Sequence, residues 1–212
     1  MIEHIVLIGQ GPNDIGFLEG LRDRLGCHAQ ITDYRNLTIL RQRGSLTRPK
    51  DARQIIQQCF SRQPVDLVIR LTDGDSQQPQ AVAQKERRRF PDRVDSLFIC
   101  GVCDRDIEAW LALDVPYLAK TLGFNPADLP EDREAKSAFI KNRIKKSLGP
   151  AQTYTTFIAD YVKNAPPRTL KQWLANPAFS AFYDDCRTAA NSHNCEITNL
   201  RDAGGGGGLS DS

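Results

Sequence analysis

Val65-Asp66-Leu67-Val68-Ile69-Arg70-Leu71-Thr72-Asp73-Gly74-Asp75-Ser76 is the stretch whose reading decides the fold. Residues 65–71 have the branched apolar composition of an interior strand, and the polar turn that follows, residues 72–76, cannot continue a sheet. An interior strand that stops in a pair of acids places charge at a strand end, where open α/β sheets bind their ligands.

Moving outward, residues 4–9 hold Ile5, Val6, Leu7 and Ile8 and stop at Gly9-Gln10-Gly11-Pro12, which predicts a first buried strand and a tight loop. Asn13 or Asp14 then caps a helix to about residue 25, with Ile15, Phe17, Leu18, Leu21 and Leu25 on one side. A weak strand signal lies in residues 29–40 and a helix signal in 51–61. Past the central strand come a helix over about 79–90 and a strand over 96–103. Asp104 and Asp106 then open a helix carrying Ile107, Trp110, Leu111 and Leu113. This alternation predicts an α/β fold: a mostly parallel sheet flanked by helices. Beyond Pro116 the strand signals stop, and helices are expected at about 131–148, 154–164, 168–174 and 177–190. The division expected is an α/β core over 1–115, a helical extension packed on it over 116–200, and a flexible Gly-rich tail over 201–212.

The 212 residues are 40% hydrophobic and 25% charged, enough to bury a sizeable core. No apolar run approaches the roughly 18 residues of a membrane span, and Met1-Ile2-Glu3-His4 lacks the basic region of a signal peptide. A cytoplasmic protein with no membrane contact is expected. The six cysteines read as reduced thiols, and Cys100 and Cys103, three apart on a strand, point to opposite faces rather than sharing a zinc ion. The net charge of +2 gives no strong overall field. The basic residues nevertheless cluster: Arg41/Arg43/Arg48/Lys50/Arg53, Lys85/Arg87/Arg88/Arg89 and Lys136/Lys141/Arg143/Lys145/Lys146. Each cluster reads either as a solvated face or as part of a phosphate-binding groove.

The candidate chemistry lies in the acids. Asp73 and Asp75, spaced i, i+2 on a turn, can direct both carboxylates at one cation, and Gly74 keeps the space between them free. Glu108 stands in the first turn of the helix after the neighbouring strand, led in by Asp104 and Asp106. Hard oxygen ligands without histidine or thiol favour Mg²⁺ or Mn²⁺. The alternative is structural: Asp-Gly-Asp is a common surface turn, and an acid in a first helical turn complements the macrodipole. Gly9-Gln10-Gly11-Pro12 lacks the Lys-Ser/Thr of a P-loop, and His4, His28 and His193 are isolated, so neither nucleotidase nor triad chemistry is indicated. Trp110 and Trp173 read as core anchors.

The order of Ile8-Gly9-Gln10-Gly11-Pro12-Asn13-Asp14, Leu71-Thr72-Asp73-Gly74-Asp75 and Ile107-Glu108-Ala109-Trp110-Leu111-Ala112-Leu113-Asp114 resembles the Toprim fold of primases, type II topoisomerases and OLD-type nucleases. It is most similar to the Toprim-like bacterial family of domain of unknown function 4276, over about residues 2–190, including Tyr161-Val162-Lys163 and Pro177-Ala178-Phe179-Ser180-Ala181-Phe182. The resemblance implies a Toprim-like, Rossmannoid core and a Mg²⁺- or Mn²⁺-dependent nuclease acting on DNA or RNA. Asp73, Asp75 and Glu108 would hold metal. Glu108, Gln10 and Asp14 would serve the chemistry. It also implies an ATPase partner protein in a bacterial defence or DNA-processing system.

One departure matters. Gln10 stands where Toprim enzymes place a glutamate, and a neutral amide cannot accept a proton usefully near pH 7. Asp14, about one helical turn further on, is the nearest acid that could substitute by reaching back. Two alternatives follow: a catalytically degenerate Toprim-like binding or regulatory subunit, and a metal-dependent transferase using Asp-x-Asp. Oligomeric state, homo-oligomers included, is left open.

Overall fold

The computed structural model of the chain describes residues 4–9, 11–25, 30–33, 66–74, 77–88 and 98–192. Among them, four strands form one sheet: β1 (His4–Ile8), β2 (Gln30–Asp33), β3 (Leu67–Asp73) and β4 (Phe98–Cys103), in the spatial order β2-β1-β3-β4. Every neighbouring pair is parallel. The helices are α1 (Pro12–Arg24), α2 (Pro79–Arg87), α3 (Ile107–Leu111), α4 (Val115–Leu122), α5 (Arg133–Ser147), α6 (Tyr154–Lys163), α7 (Pro167–Leu174) and α8 (Pro177–Ser192). This is the expected α/β fold, a parallel sheet flanked by helices with a helical C-terminal part. The expected helix at 51–61, most of the 29–40 segment, the first basic cluster, Gln10, Asp75 and the Gly-rich tail lie outside the described residues.

Three local differences from the sequence reading have physical causes. First, β3 continues through Thr72 and Asp73, which pair with Val102 and Cys103 of β4, so Asp73 is the last strand residue rather than part of the turn. Second, α1 begins at Pro12, behind Gly11 as N-cap, rather than at Asn13 or Asp14. Proline suits the first helical position because its missing N–H would be unbonded there. Third, α4, a helix the sequence reading did not expect, follows α3 through one 3₁₀ turn. Pro116 falls in the first turn of α4, where it stops nothing, and Asp114 caps the helix by accepting from Tyr117 N at 3.1 Å.

Alternation along the strands sorts the buried side chains onto two faces. Ile5, Leu7, Leu67, Ile69, Leu71, Ile99 and Cys103 belong to the main core, which runs without interruption into α1, α3 and α6–α8. At its centre Phe17, Trp110, Trp173 and Phe179 pack ring on ring, with Trp110 and Phe179 centroids 5.2 Å apart. Both tryptophans are fully buried core anchors. The C-terminal helices therefore share the sheet's own core. Gly16 and Gly20, one turn apart on α1, allow α6 to lie against the helix backbone: a Cβ at either would collide with the carbonyl oxygen of Thr155 or Ala159.

The opposite face carries Val6, Ile8, Val68, Arg70 and Val102, all buried, and α2 packs on its β4 side. Arg70 is fully buried, a residue the apolar run around it did not mark out. Its Nε stands 3.4 Å from Glu86 Oε2 of α2, and its guanidinium also donates to Ile8 O and Thr72 Oγ1, each at 3.3 Å. The arginine thus fastens the carboxyl end of β1 to β3, directly below the loops that build the site.

Candidate active site

β1 lies between β2 and β3, so the strand order reverses at β1, and such a switch point in an open parallel sheet leaves a crevice at the carboxyl ends of the strands. Three strand ends supply that crevice. The loop after β1 and the first turn of α1 contribute Gly11, Pro12, Asn13 and Asp14; β3 contributes Asp73; the segment after β4 contributes Asp106 and Glu108. Together with Lys141 of α5 these residues line a cleft of about 250 Å³.

Glu108 is its most constrained member. It is 1% exposed, in the first turn of α3. Asn13 Nδ2 donates to Glu108 Oε1 at 2.6 Å, and Lys141 Nζ stands 3.5 Å from Oε2. Burial pushes the Glu108 carboxyl up from 4.5 to about 7, against the opposing pull of the Lys141 ammonium, while Asp106 beside it adds to the rise. A desolvated carboxylate held so far from its ordinary value marks a place where further positive charge would be favourable.

The other acids are tied to the backbone around it. Asp106 caps α3, accepting from Ala109 N at 3.3 Å, and also accepts from Ser137 Oγ, with Lys141 Nζ at 3.8 Å. Asp14 is 5% exposed, and its Oδ2 accepts from Gly11 N at 2.9 Å across the first turn of α1. Asp73 sits at the end of β3 opposite Cys103. Gly74 has a packing reason of its own: a Cβ there would run into the Cys103 carbonyl oxygen, so only glycine lets the chain at the end of β3 lie this close to β4.

Cys103 is fully buried beneath this cluster, and burial, then the charges of Asp14, Asp73, Asp106 and Glu108, push its thiol well up. Cys100 is pushed up to about 12 by burial and answers instead to Arg70, Glu86 and Arg87. The two thiols lie on opposite faces, as expected, and neither is a nucleophile near neutral pH.

The fit of a divalent cation can be judged from the oxygen atoms present. Asp73, Glu108 and Asp14 offer hard carboxylate donors, and Asn13 Oδ1, buried in the cleft wall, meets no hydrogen-bond donor among the described residues. That donor set suits Mg²⁺ or Mn²⁺. Among the described residues no three acidic, histidine or cysteine side chains are gathered tightly enough to hold a metal by themselves, and Asp75 lies outside them. Sequence reasoning missed Asn13 and Lys141 as site residues. Lys141 was visible only as one of five basic residues, and Asn13 only as a helix cap. The remaining acid of the Glu-Ala-Trp-Leu-Ala-Leu-Asp segment is structural, since Asp114 caps α4 and accepts from Thr169 Oγ1 at 2.6 Å.

No protein-family model, no curated protein and no solved structure matches this chain. No helix among the described residues is long and apolar enough to cross a membrane.

Proposed function

We propose that the chain is a Mg²⁺- or Mn²⁺-dependent phosphodiester hydrolase of Toprim type that acts on DNA or RNA. The observation that carries this reading is the convergence of Asp14, Asp73, Asp106 and Glu108, from three different strand ends, on one cleft with Lys141 at its side. Asp73 and Glu108, with Asp75, would hold the metal, and Asn13 Oδ1 adds a neutral oxygen. When bound, such a metal supplies Lewis acidity and positive charge at a phosphate oxygen. The chain's own residues do the rest. Asn13 fixes the Glu108 carboxylate by its 2.6 Å hydrogen bond, and Arg70 fixes the strand ends beneath it. Lys141, half-exposed, offers an ammonium to the phosphate entering the cleft. Asp14 or Gln10 would orient water or substrate.

A second reading, a Toprim-like binding or regulatory subunit working with an ATPase partner, is favoured by one specific contact. Lys141 already brings a positive charge to Glu108 and Asp106, which is the electrostatic service a metal would give. Gln10 in place of a glutamate points the same way.

The deciding experiment is cleavage of plasmid, single-stranded DNA and RNA with Mg²⁺ or Mn²⁺, with Asp73→Ala and Gln10→Glu compared alongside. Metal-dependent cleavage by the natural chain, lost in Asp73→Ala, supports the hydrolase. Activity only in Gln10→Glu identifies a site silenced at one position, and activity in none supports the subunit.

A further inference from the structure

A second cavity of about 210 Å³ adjoins the cleft and shares Asp106 and Glu108 with it as a common wall. Its lining is divided by chemistry. Ala109, Ala112 and Leu113, from α3 and the turn after it, give an apolar surface, whereas Arg105, Arg133 and Lys136 give a cationic one. The three acids in the lining are already engaged: Asp104 Oδ2 accepts from Asn176 Nδ2 at 2.9 Å, Asp106 is held by Ala109 N, Ser137 and Lys141, and Glu108 by Asn13 and Lys141. The cations are less so. Arg105 reaches Glu134 only at 3.7 Å, and that carboxylate is 83% exposed, a pairing worth little in water. Arg133 and Lys136 make no ion pair among the described residues.

An apolar surface beside weakly engaged cations suits a ligand that is flat and apolar at one end and anionic at the other. From this we infer that the cavity binds one unstacked nucleotide of a single strand, its base on Ala109, Ala112 and Leu113 and its phosphate on Arg105, Arg133 and Lys136. The volume is below the roughly 300–1,000 Å³ of drug-sized sites, which fits one base and not a stacked pair. The shared wall places the next phosphate of the same strand in the acidic cleft; that placement, though not the nucleotide site itself, rests on the hydrolase reading. A base can enter only when it has left its stack, so the site selects single strands or ends over intact duplex.

The test is binding of AMP and of inorganic phosphate to the full chain in EDTA, by calorimetry, with circular dichroism to confirm folding of each variant. The natural chain should bind AMP at least about tenfold more tightly than phosphate, each factor of ten being about 1.4 kcal/mol. Arg133→Ala/Lys136→Ala, at an exposed and a half-buried position, should lose both ligands. Ala109→Leu, which fills the apolar surface, should lose the advantage of AMP and keep phosphate. A single-stranded tetranucleotide should displace AMP, and a duplex of the same sequence should not. Equal affinity for AMP and phosphate, AMP binding unchanged in Ala109→Leu, or failure of the tetranucleotide to compete would each overturn the inference. AMP binding with this pattern in a chain that cleaves nothing would leave the nucleotide site standing and remove the hydrolase reading; cleavage without AMP binding would do the reverse.

Discussion

Asn13 and Glu108 lie 95 positions apart in the chain, and a 2.6 Å hydrogen bond from the Asn13 amide joins the first turn of α1 to the first turn of α3. The two helices follow β1 and β4, which are not adjacent strands; β3 separates them. The bond therefore spans the crevice and fixes the buried carboxylate on which the account depends.

The cost of that burial can be measured in the metal-free protein. Glu108 holds its proton to about 7 in the folded chain, against 4.5 for an ordinary glutamate, so between these values the folded form binds more protons than the unfolded form. Its contribution to stability is present below about 4.5 and is lost as pH rises to about 7, by up to about 3 kcal/mol. In EDTA, Glu108→Gln should match the natural chain at pH 4.5 and exceed it at pH 8 by about 1–3 kcal/mol in urea unfolding. A variant less stable than the natural chain at pH 8 would contradict this.

Lys141 opposes the rise at Glu108. Lys141→Met should therefore move the Glu108 titration above about 7, followed by carbon-detected NMR of the side-chain carboxyl in EDTA. An unchanged titration would show that the 3.5 Å approach of Nζ does not persist in solution.

The sheet and most of its helices were legible in the sequence because β1, β3 and β4 are apolar runs that stop abruptly in polar or glycine-rich loops, with helix signals between and after them. The site was half legible. Asp73 and Glu108 stood at strand ends and could be paired by the rule for open sheets, but Asn13 and Lys141 join them through tertiary contacts that no local pattern encodes. Arg70 was hidden by its apolar neighbours, since nothing in residues 65–71 announces that Glu86 waits on the helix above. Gly16 and Gly20 did leave a signal: two glycines one turn apart inside a helix cost about 1 kcal/mol each relative to alanine, which implies a packing reason.

That packing reason predicts a reversal of ordinary helix propensity. Gly16→Ala and Gly20→Ala should each destabilise the chain by on the order of 1–3 kcal/mol, because the added Cβ meets a backbone carbonyl of α6 that cannot swing aside. Urea titrations would check this, and a stabilising substitution at either position would disprove the close crossing of α1 and α6.

The buried pair of Arg70 and Glu86 should behave asymmetrically. Glu86→Ala leaves the guanidinium buried without its carboxylate and should cost about 3–5 kcal/mol, whereas Arg70→Met/Glu86→Leu should recover a large part of that loss. Equal destabilisation by the single and double variants would mean that the contacts of Arg70 with Ile8 O and Thr72, rather than the ion pair, carry its effect.

The central claim is that the cleft between the strand ends is a divalent-metal centre for phosphodiester chemistry. Its most direct test is the electron paramagnetic resonance of Mn²⁺ titrated into the full chain with a cleavage-resistant phosphorothioate oligonucleotide, since such sites take substrate phosphates among their ligands. Mn²⁺ should be tightly bound in the natural chain and weakened at least about tenfold in both Asp73→Ala and Glu108→Gln. Mn²⁺ binding that is absent from the natural chain, or unchanged in both variants, would contradict the claim.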